Sequence, residues 1–165
     1  MIKKILLTGG TGFFGKSILD MVKQEKLTGY AFTILSRNPE KFLRNSPEFA
    51  HLPQVEFITG DVRNFSVSGM FDAMILGATP ASTLIPDAEM RSIIIDGTLH
   101  SLEIAQKCQV KKLLFLSSGA VYGKQSVPQV SESAECRPVT AYGKAKLEAE
   151  KLCFSSGIPD RKSVV

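Results

Sequence analysis

The stretch that decides the fold is IKKILLTGGTGFFG at residues 2–15, a mainly apolar run that stops in a glycine-rich turn. Residues 2–7 predict a strand buried on both faces, because apolar residues dominate the run without regular polar alternation. From Gly12 to about Lys26, apolar residues recur at helical spacing. The chain is therefore expected to pass from a buried strand through a tight turn directly into a helix.

The same alternation of strand and helix continues along the chain. Short apolar runs predict four more strands, at residues 30–36, 55–58, 71–76 and 112–116. Helical spacing, or a proline suited to a first turn, predicts three more helices, one from Pro39 and two over about 87–109 and 140–154. Strands that alternate with helices pair in parallel through right-handed crossovers. The expected fold class is therefore α/β, with a parallel sheet between two layers of helices.

The composition describes one ordinary globular domain. The chain has 165 residues, of which 44% are hydrophobic and 22% charged, proportions that argue against a disordered chain or a disulfide scaffold. The net charge is +4, and the lysines are spread along the chain rather than clustered as in nucleic-acid-binding proteins. No apolar stretch approaches the roughly 18 residues of a membrane span. Neither nucleic acid nor a membrane is expected as a partner.

The cysteines and histidines indicate a reducing compartment and no metal centre. Cys108, Cys136 and Cys153 are odd in number and show no CxxC spacing, which is typical of a reduced, cytoplasmic protein. His51 and His100 belong to no cluster with metal-ligand spacing. We therefore predict a cytoplasmic protein without a metal site.

The glycine-rich turn matches two phosphate-binding templates. Residues 10–17, GTGFFGKS, match the phosphate loop of nucleoside-triphosphate enzymes, in which Lys16 and Ser17 would meet the outer phosphates and Mg²⁺. Residues 9–15, GGTGFFG, match a nucleotide-binding turn whose glycines let the backbone approach a pyrophosphate at a helix N-terminus. A purely structural glycine turn is the third interpretation. A triphosphate site also needs a metal-binding acid, and Asp61 suits that role poorly because it does not close an apolar run.

Side chains from several strand ends are expected to meet at one edge of the sheet. In open parallel sheets the ligand lies outside the carboxyl ends of the strands, where the strand order reverses. Tyr142 and Lys146 are four residues apart on the last predicted helix and share one face. Taken alone, this spacing describes an ordinary helix surface. Together with Ser118, which ends a predicted strand, it is more specific.

With these residues in place, the chain resembles the short-chain dehydrogenase/reductase family, and within it the extended branch of NDP-sugar epimerases and dehydratases. Four motifs carry the resemblance in the family's order: TGGTGFFG at 8–15, GDV at 60–62, SSGAVYG at 117–123 and YGKAK at 142–146. They cover essentially the whole chain and outweigh the triphosphate-loop match. The resemblance implies a Rossmann-type doubly wound parallel sheet, three-layer α/β/α, with residues 1–165 as an NAD(P)-binding domain.

The resemblance implies a catalytic trio of Ser118, Tyr142 and Lys146. Tyr142 resembles the family's general acid/base, which exchanges a proton with a sugar hydroxyl or carbonyl while hydride moves to or from the nicotinamide. An ordinary phenol keeps its proton until about pH 10, so this role needs a nearby positive charge, and Lys146 supplies it while also binding the nicotinamide ribose. Ser118 resembles the serine that hydrogen-bonds the reacting oxygen. Ser117 is the alternative, and Ser118 is favoured because it lies four positions before Tyr122.

The resemblance also implies contacts along a bound dinucleotide. Besides Tyr142 and Lys146, the expected contacts are Gly9, Gly12, Phe13, Phe14 and Gly15 at the pyrophosphate, Asp61 and Val62 at the adenine, Gly77, Ala78 and Thr79 along the dinucleotide, and Ser36 and Arg37 at the end of the second strand. A carboxylate at that strand end would select NAD by bonding the ribose 2′-hydroxyl. Arg37 can instead pair with a 2′-phosphate. NADP is therefore favoured over NAD, with a surface arginine as the alternative interpretation.

Two departures from the family pattern bear on the reaction. Ile94 stands where this branch usually carries an asparagine, which puts one cofactor or water contact in doubt. Gly119 and Ala120 follow Ser118, where a 4,6-dehydratase needs an acidic pair to move protons. The expected function is an NAD(P)-dependent oxidoreductase or epimerase acting on a nucleotide sugar, an epimerase or ketosugar reductase rather than a dehydratase. A non-catalytic dinucleotide-binding module and a phosphate-loop ATPase or kinase are the alternatives.

The C-terminal residues are the largest departure. Residues 157–165 predict a turn and the first residues of a sixth strand, whereas the family's substrate-binding portion lies mostly beyond that point. The substrate domain is therefore expected to be absent, either because the chain is a fragment or because it borrows the missing parts from a partner. The expected partners are a nucleotide-sugar substrate and, as one such arrangement, a second copy in a homodimer.

Overall fold

Six parallel strands form the central sheet, in the order β3-β2-β1-β4-β5-β6. A computed structural model describes residues 1–80, 84–125 and 129–164, the last five of these by their backbone alone. The strands are β1 (Lys3–Thr8), β2 (Tyr30–Ser36), β3 (Val55–Thr59), β4 (Ala73–Leu76), β5 (Lys112–Leu116) and β6 (Asp160–Val164). β6 pairs in parallel with β5 where a sixth strand was predicted to begin. Val165, the end of the predicted domain, lies outside the described residues.

Helices cover both faces of the sheet. They are α1 (Phe13–Lys23), α2 (Pro39–Asn45), α3 (Asp87–Lys107) and α4 (Ala141–Ser155), with short 3-10 helices at Pro47–Phe49 and Gly119–Tyr122. One apolar core lies among α3, α4 and the sheet, and a second lies among α1, α2 and the other face. The predicted doubly wound, three-layer α/β fold is confirmed.

β1 shows why an uninterrupted apolar run predicts a central strand. Leu6 and Leu7 are both buried, yet Leu6 belongs to the core with α3 and α4 and Leu7 to the core with α1 and α2. Successive side chains of a strand point to opposite faces. A strand covered by helices on both faces therefore needs apolar residues at consecutive positions.

Two helices end earlier than their periodicity predicts. α1 stops at Lys23 rather than Lys26, and α3 at Lys107 rather than Gln109. In both cases a residue just beyond the helix, Glu25 or Gln109, has φ of 56°, a left-handed conformation that reverses the chain and ends the helical hydrogen bonding. Apolar spacing carries no information about this backbone change.

The strand order reverses between β1 and β4, and the loops that follow these two strands lie side by side. The Gly77 backbone N–H donates to the Thr8 carbonyl oxygen at 3.1 Å, and the Thr8 hydroxyl accepts from Gly77 and Ala78. Ligands of doubly wound sheets bind at such a switch point. Among the described residues, no helix combines the length and apolarity needed to cross a membrane.

Candidate functional site

A pocket of about 450 Å³ opens at the carboxyl ends of the strands, beside the switch point. Its walls come from the end of β2, from the loops after β1, β2, β3 and β4, from the first two residues of α1 and from one residue of α3. The lining residues are Gly9, Thr11, Gly12, Phe13, Phe14, Leu35, Ser36, Arg37, Gly60, Asp61, Val62, Gly77, Ala78, Thr79, Pro80 and Ile93. Eleven of the predicted cofactor contacts are in this set, so residues far apart in sequence form one site.

Two glycines after β1, one in the turn and one in the first turn of α1, permit backbone contacts that no side chain would allow. A Cβ on Gly9 would lie 2.3 Å from the Gly77 carbonyl oxygen, and Gly9 has φ of 75°. A Cβ on Gly15 would lie 2.1 Å from the Gly10 carbonyl oxygen. Gly15 is buried and does not line the pocket, so its absent side chain lets α1 approach the turn rather than the ligand.

The N-terminus of α1 faces the pocket with free hydrogen-bond donors. The first backbone N–H that bonds within the helix is that of Lys16, which donates to the Gly12 carbonyl oxygen. No side chain caps the helix, and its first turn holds no acidic residue. The Gly12 N–H donates to the Gly9 carbonyl oxygen, while the N–H groups between Gly12 and Lys16, together with the helix dipole, favour an anion. Residues 9–15 therefore fit a pyrophosphate group, as the nucleotide-binding template predicts.

The two residues required by the triphosphate template turn away from the pocket. The Lys16 ammonium lies 5.8 Å from the centroid of the Phe42 ring, and the Ser17 hydroxyl donates to the Phe13 carbonyl oxygen at 3.1 Å. Neither residue lines the pocket. The geometry gives no support to outer-phosphate or Mg²⁺ binding by this pair.

The end of β2 presents an unpaired guanidinium to the pocket. Ser36 is buried, and its hydroxyl accepts from the Asn38 backbone N–H at 3.3 Å, while the Asn38 side chain caps α2 by accepting from Lys41. Arg37 is exposed and lines the pocket. Within the part of the chain that the structure describes, Arg37 makes no ion pair. It is therefore available to an anionic ligand.

An ion pair at the end of β3 adds a residue that the sequence analysis missed. The Arg63 Nε and a terminal guanidinium nitrogen donate to the two oxygens of Asp61 at 2.8 and 2.9 Å. The Arg63 backbone N–H donates to the same carboxylate at 3.0 Å. The hydrogen bond from Arg63 is the main cause that lowers the pKa of Asp61, and the charge of Arg37 contributes in the same direction. The signal in the sequence was the Asp-x-Arg spacing after the GDV glycine.

α3 contributes an apolar wall instead of the amide that the family pattern would supply. Ile93 lines the pocket, whereas Ile94 is only 2% exposed and belongs to the core. The asparagine contact that the resemblance put in doubt is therefore absent at residue 94. Ile93 was missed because helical periodicity assigns it to the core face along with its neighbours.

The Lys146 ammonium lies beneath the end of β5. It is 1% exposed, and Nζ donates to the Leu116 carbonyl oxygen at 2.6 Å. It also lies 4.6 Å from the centroid of the Phe115 ring and 5.9 Å from that of Tyr142, within the range of cation–π attraction. Burial lowers the pKa of Lys146 to about 8 and raises that of the Cys153 thiol to about 12. At neutral pH this pair is therefore an ammonium beside a neutral thiol.

Ser118 and Tyr142 are brought to the same strand end by a close approach of two helices. The Ser118 hydroxyl accepts from the Ala120 backbone N–H at 3.2 Å and caps the 3-10 helix Gly119–Tyr122. A Cβ on Gly143 would lie 2.5 Å from the Ala120 carbonyl oxygen. Only glycine lets the first turn of α4 come this close. The hydroxyl of the alternative, Ser117, is buried and has no hydrogen-bond partner among the described residues.

The predicted residues thus fall into two neighbouring groups. Most of the predicted cofactor contacts line the pocket, while Ser118, Tyr142 and Lys146 gather at the end of β5 and do not line it. β4 lies between β1 and β5 in the sheet, so the two groups occupy adjacent positions along one edge. In the described ranges, no cluster of three or more metal-ligating side chains occurs. His100 hydrogen-bonds the Phe65 carbonyl oxygen.

The burial of Lys146 predicts a pH-dependent stability. In the unfolded chain its pKa is 10.5 and in the folded chain about 8, so between these values the unfolded state binds more protons and the free energy of unfolding rises with pH. The charged ammonium destabilises the fold below about pH 8, by an amount on the order of 3 kcal/mol. Between pH 7 and 10.5, the free energy of unfolding measured with urea should rise by about 3 kcal/mol more in the wild type than in Lys146→Met.

Lys144→Met is the matched control for that measurement, because Lys144 lies on the same helix and is exposed. Its pH dependence should follow that of the wild type. Identical slopes for Lys146→Met and the wild type would contradict the assignment of the effect to Lys146.

Comparison with known proteins identifies a family that matches most of the chain. The family described as "NAD dependent epimerase/dehydratase family" matches residues 5–157. The chain is 27% identical to UDP-glucose 4-epimerase 2 of Oryza sativa subsp. japonica, with 92% of this chain and 40% of that protein aligned. It is 30% identical to the bifunctional UDP-glucose 4-epimerase and UDP-xylose 4-epimerase 1 of Pisum sativum, with 91% and 46% aligned.

The fold of this chain also occurs in a solved structure. UDP-glucuronic acid 4-epimerase from Bacillus cereus, in complex with NAD, superposes with a TM-score of 0.81 at 22% identity, covering 97% of this chain and 55% of that one. The chain therefore spans about half the length, or somewhat less, of the proteins that it matches.

Proposed function

Because the chain belongs to the NAD dependent epimerase/dehydratase family, we propose that it forms the dinucleotide-binding and proton-transferring part of an enzyme that epimerises or reduces a nucleotide sugar. One observation carries the proposal: a buried ammonium, Lys146, held at the end of β5 and 5.9 Å from the ring centroid of Tyr142. The buried ammonium holds a positive charge beside the Tyr142 ring, which suits Tyr142 to exchange a proton with a reacting oxygen.

In this proposal Ser118, Tyr142 and Lys146 have different chemical roles. Tyr142 takes a proton from a sugar hydroxyl at its Oη, or returns one to a carbonyl oxygen. Ser118 accepts the Ala120 N–H, which leaves its own hydroxyl proton free to donate to the reacting oxygen. Lys146 uses one of its three N–H bonds on the Leu116 carbonyl and keeps the others for a ribose hydroxyl. When bound, a nicotinamide dinucleotide supplies the hydride chemistry that both reactions require.

The pocket supports a dinucleotide by its shape and its donors. The proposed pyrophosphate contacts are the backbone of Gly9, Gly12, Phe13 and Phe14, with Gly15 permitting the helix approach. Asp61 and Val62 are the proposed adenine contacts, Gly77, Ala78 and Thr79 run along the dinucleotide, and Ser36 and Arg37 face the adenosine ribose. An unpaired Arg37 on the pocket wall supports NADP over NAD.

Arg37→Gln should separate the two cofactors. Loss of a charge-assisted hydrogen bond to the 2′-phosphate is expected to weaken NADP binding about 10- to 100-fold, while NAD binding changes little. Titration of the chain with NADP(H), NAD(H) and Mg-ATP side by side measures this, and Mg-ATP is expected to bind more weakly than either dinucleotide. Arg44→Gln is the control, because Arg44 is an exposed arginine of α2 outside the pocket. An equal loss of NAD and NADP would refute the assignment to Arg37.

The proposed substrate is a nucleotide sugar, and the proposed reaction is not a dehydration. Relatives named as UDP-sugar 4-epimerases support a nucleotide-sugar substrate, and Gly119 and Ala120 in place of an acidic pair argue against dehydration. We also propose a homodimer and a cytoplasmic location. The three cysteines are free thiols, in keeping with a reducing compartment.

A non-catalytic dinucleotide-binding module is the second candidate. It is supported by the separation of the pocket from the trio, because Ser118, Tyr142 and Lys146 do not line it. Turnover of a UDP-sugar by this chain alone would eliminate the second candidate. Dinucleotide binding without turnover, in a form that includes the substrate-binding part, would favour it.

A further inference from the structure

Three charged groups meet at the adenosine end of the proposed dinucleotide site. Asp61 and Arg37 both line the pocket, while Arg63 lies just outside it and holds both oxygens of Asp61 at 2.8 and 2.9 Å. The side chains of Arg63 and Asp61 are 36% and 26% exposed. An unpaired carboxylate at this place would repel a phosphate and attract Arg37. The bidentate pair with Arg63 weakens both effects.

Resting on the proposed function, we infer that Arg63 is a specificity-determining residue, which by neutralising Asp61 leaves Arg37 free to bind the 2′-phosphate of NADP. Arg63 acts through Asp61 and not by touching the ligand, so it is a positioning residue for the charge of the site.

Three carboxylates act on the Arg63 guanidinium. Glu89 and Asp96 of α3 also act on Arg63, and together with Asp61 they raise its pKa. Arg63 is thus the cation among three carboxylates. Removing its charge leaves the Asp61 carboxylate on the pocket wall without its partner, within reach of the charge of Arg37. The resulting field opposes a dianionic 2′-phosphate far more than the neutral 2′-hydroxyl of NAD.

Arg63→Gln should raise the ratio of Kd for NADP to Kd for NAD about tenfold at low ionic strength, an effect of the size expected for one partly exposed charge. Arg63→Lys keeps the charge and should leave the ratio close to that of the wild type. The double variant Asp61→Asn with Arg63→Gln should return the Kd ratio most of the way to its wild-type value, because the carboxylate that Arg63 neutralises is gone. High salt should shrink the effect of Arg63→Gln, since these groups are partly exposed.

The readout distinguishes a charge effect from a structural one. A merely structural role for Arg63 would weaken NAD and NADP equally, and an unchanged ratio in a folded Arg63→Gln protein overturns the inference. If Arg63→Gln does not fold, the single variant Asp61→Asn tests the inference instead. It should lower the ratio of Kd for NADP to Kd for NAD, and an unchanged ratio overturns the inference. Failure of the wild type to bind either dinucleotide overturns the proposed function and this inference with it, whereas binding with an unchanged ratio overturns this inference alone.

Discussion

Tyr142→Phe should lower turnover about 10²- to 10⁴-fold, the usual contribution of a general acid/base, while dinucleotide binding stays nearly unchanged. The physical reason is that phenylalanine keeps the ring that packs near Lys146 but has no proton to exchange. Turnover of a UDP-sugar and the Kd of the dinucleotide should be measured on the same preparation.

Tyr30→Phe is the matched control for this substitution. Tyr30 begins β2, at the opposite end of the strands from the pocket, and its loss of a hydroxyl should leave turnover unchanged. Full activity in Tyr142→Phe would remove Tyr142 from the proposed mechanism. Loss of dinucleotide binding together with turnover would instead indicate that the ring or hydroxyl holds the cofactor.

Gly9→Ala should destabilise the fold and weaken dinucleotide binding at least tenfold. An alanine at φ of 75° carries a left-handed strain of about 1–2 kcal/mol. In addition, its Cβ would lie 2.3 Å from the Gly77 carbonyl oxygen, and overpacking of this kind costs about 1–3 kcal/mol. Because the backbone of both loops lines the pocket, relief of the overlap must move the pocket wall.

Gly157→Ala separates strain from overlap. Gly157 has the same φ of 75°, but nothing lies within 4 Å of a Cβ placed there, so only the strain should appear. Urea unfolding should therefore show a smaller loss for Gly157→Ala than for Gly9→Ala, and dinucleotide titration should show a loss only for Gly9→Ala. Equal losses of stability would mean that the Gly77 contact is relieved without cost.

The strands and helices were predictable because burial leaves a periodic pattern. β1 needed consecutive apolar residues since both faces are covered, and α1 needed its apolar face toward the core. The helix ends at Lys23 and Lys107 were missed because the left-handed residue just beyond each, Glu25 or Gln109, is not a glycine and leaves no mark on hydrophobic spacing. Existence and order of elements follow from composition along the chain, whereas their exact ends depend on the backbone.

The site was predicted unevenly for a related reason. Glycine-rich turns and short family motifs such as GDV stand out in the sequence, so Gly9, Asp61 and Thr79 were predicted as contacts, and all three line the pocket. Ile93 was missed because an apolar residue of a helix looks the same whether it faces a core or a pocket. Arg63 was missed because its importance depends on a side-chain ion pair.

By itself, the sequence determined the α/β class, the strand-turn-helix at residues 2–15 and the residue types brought to one edge of the sheet, because these depend on local pattern and on the rules of parallel pairing. Only the tertiary structure decided that Lys16 turns toward Phe42, that Lys146 is buried on the Leu116 carbonyl and that Arg63 pairs with Asp61. Those choices depend on which groups the fold brings within a few ångströms, because hydrogen bonds form only at that range and charge interactions are strongest there.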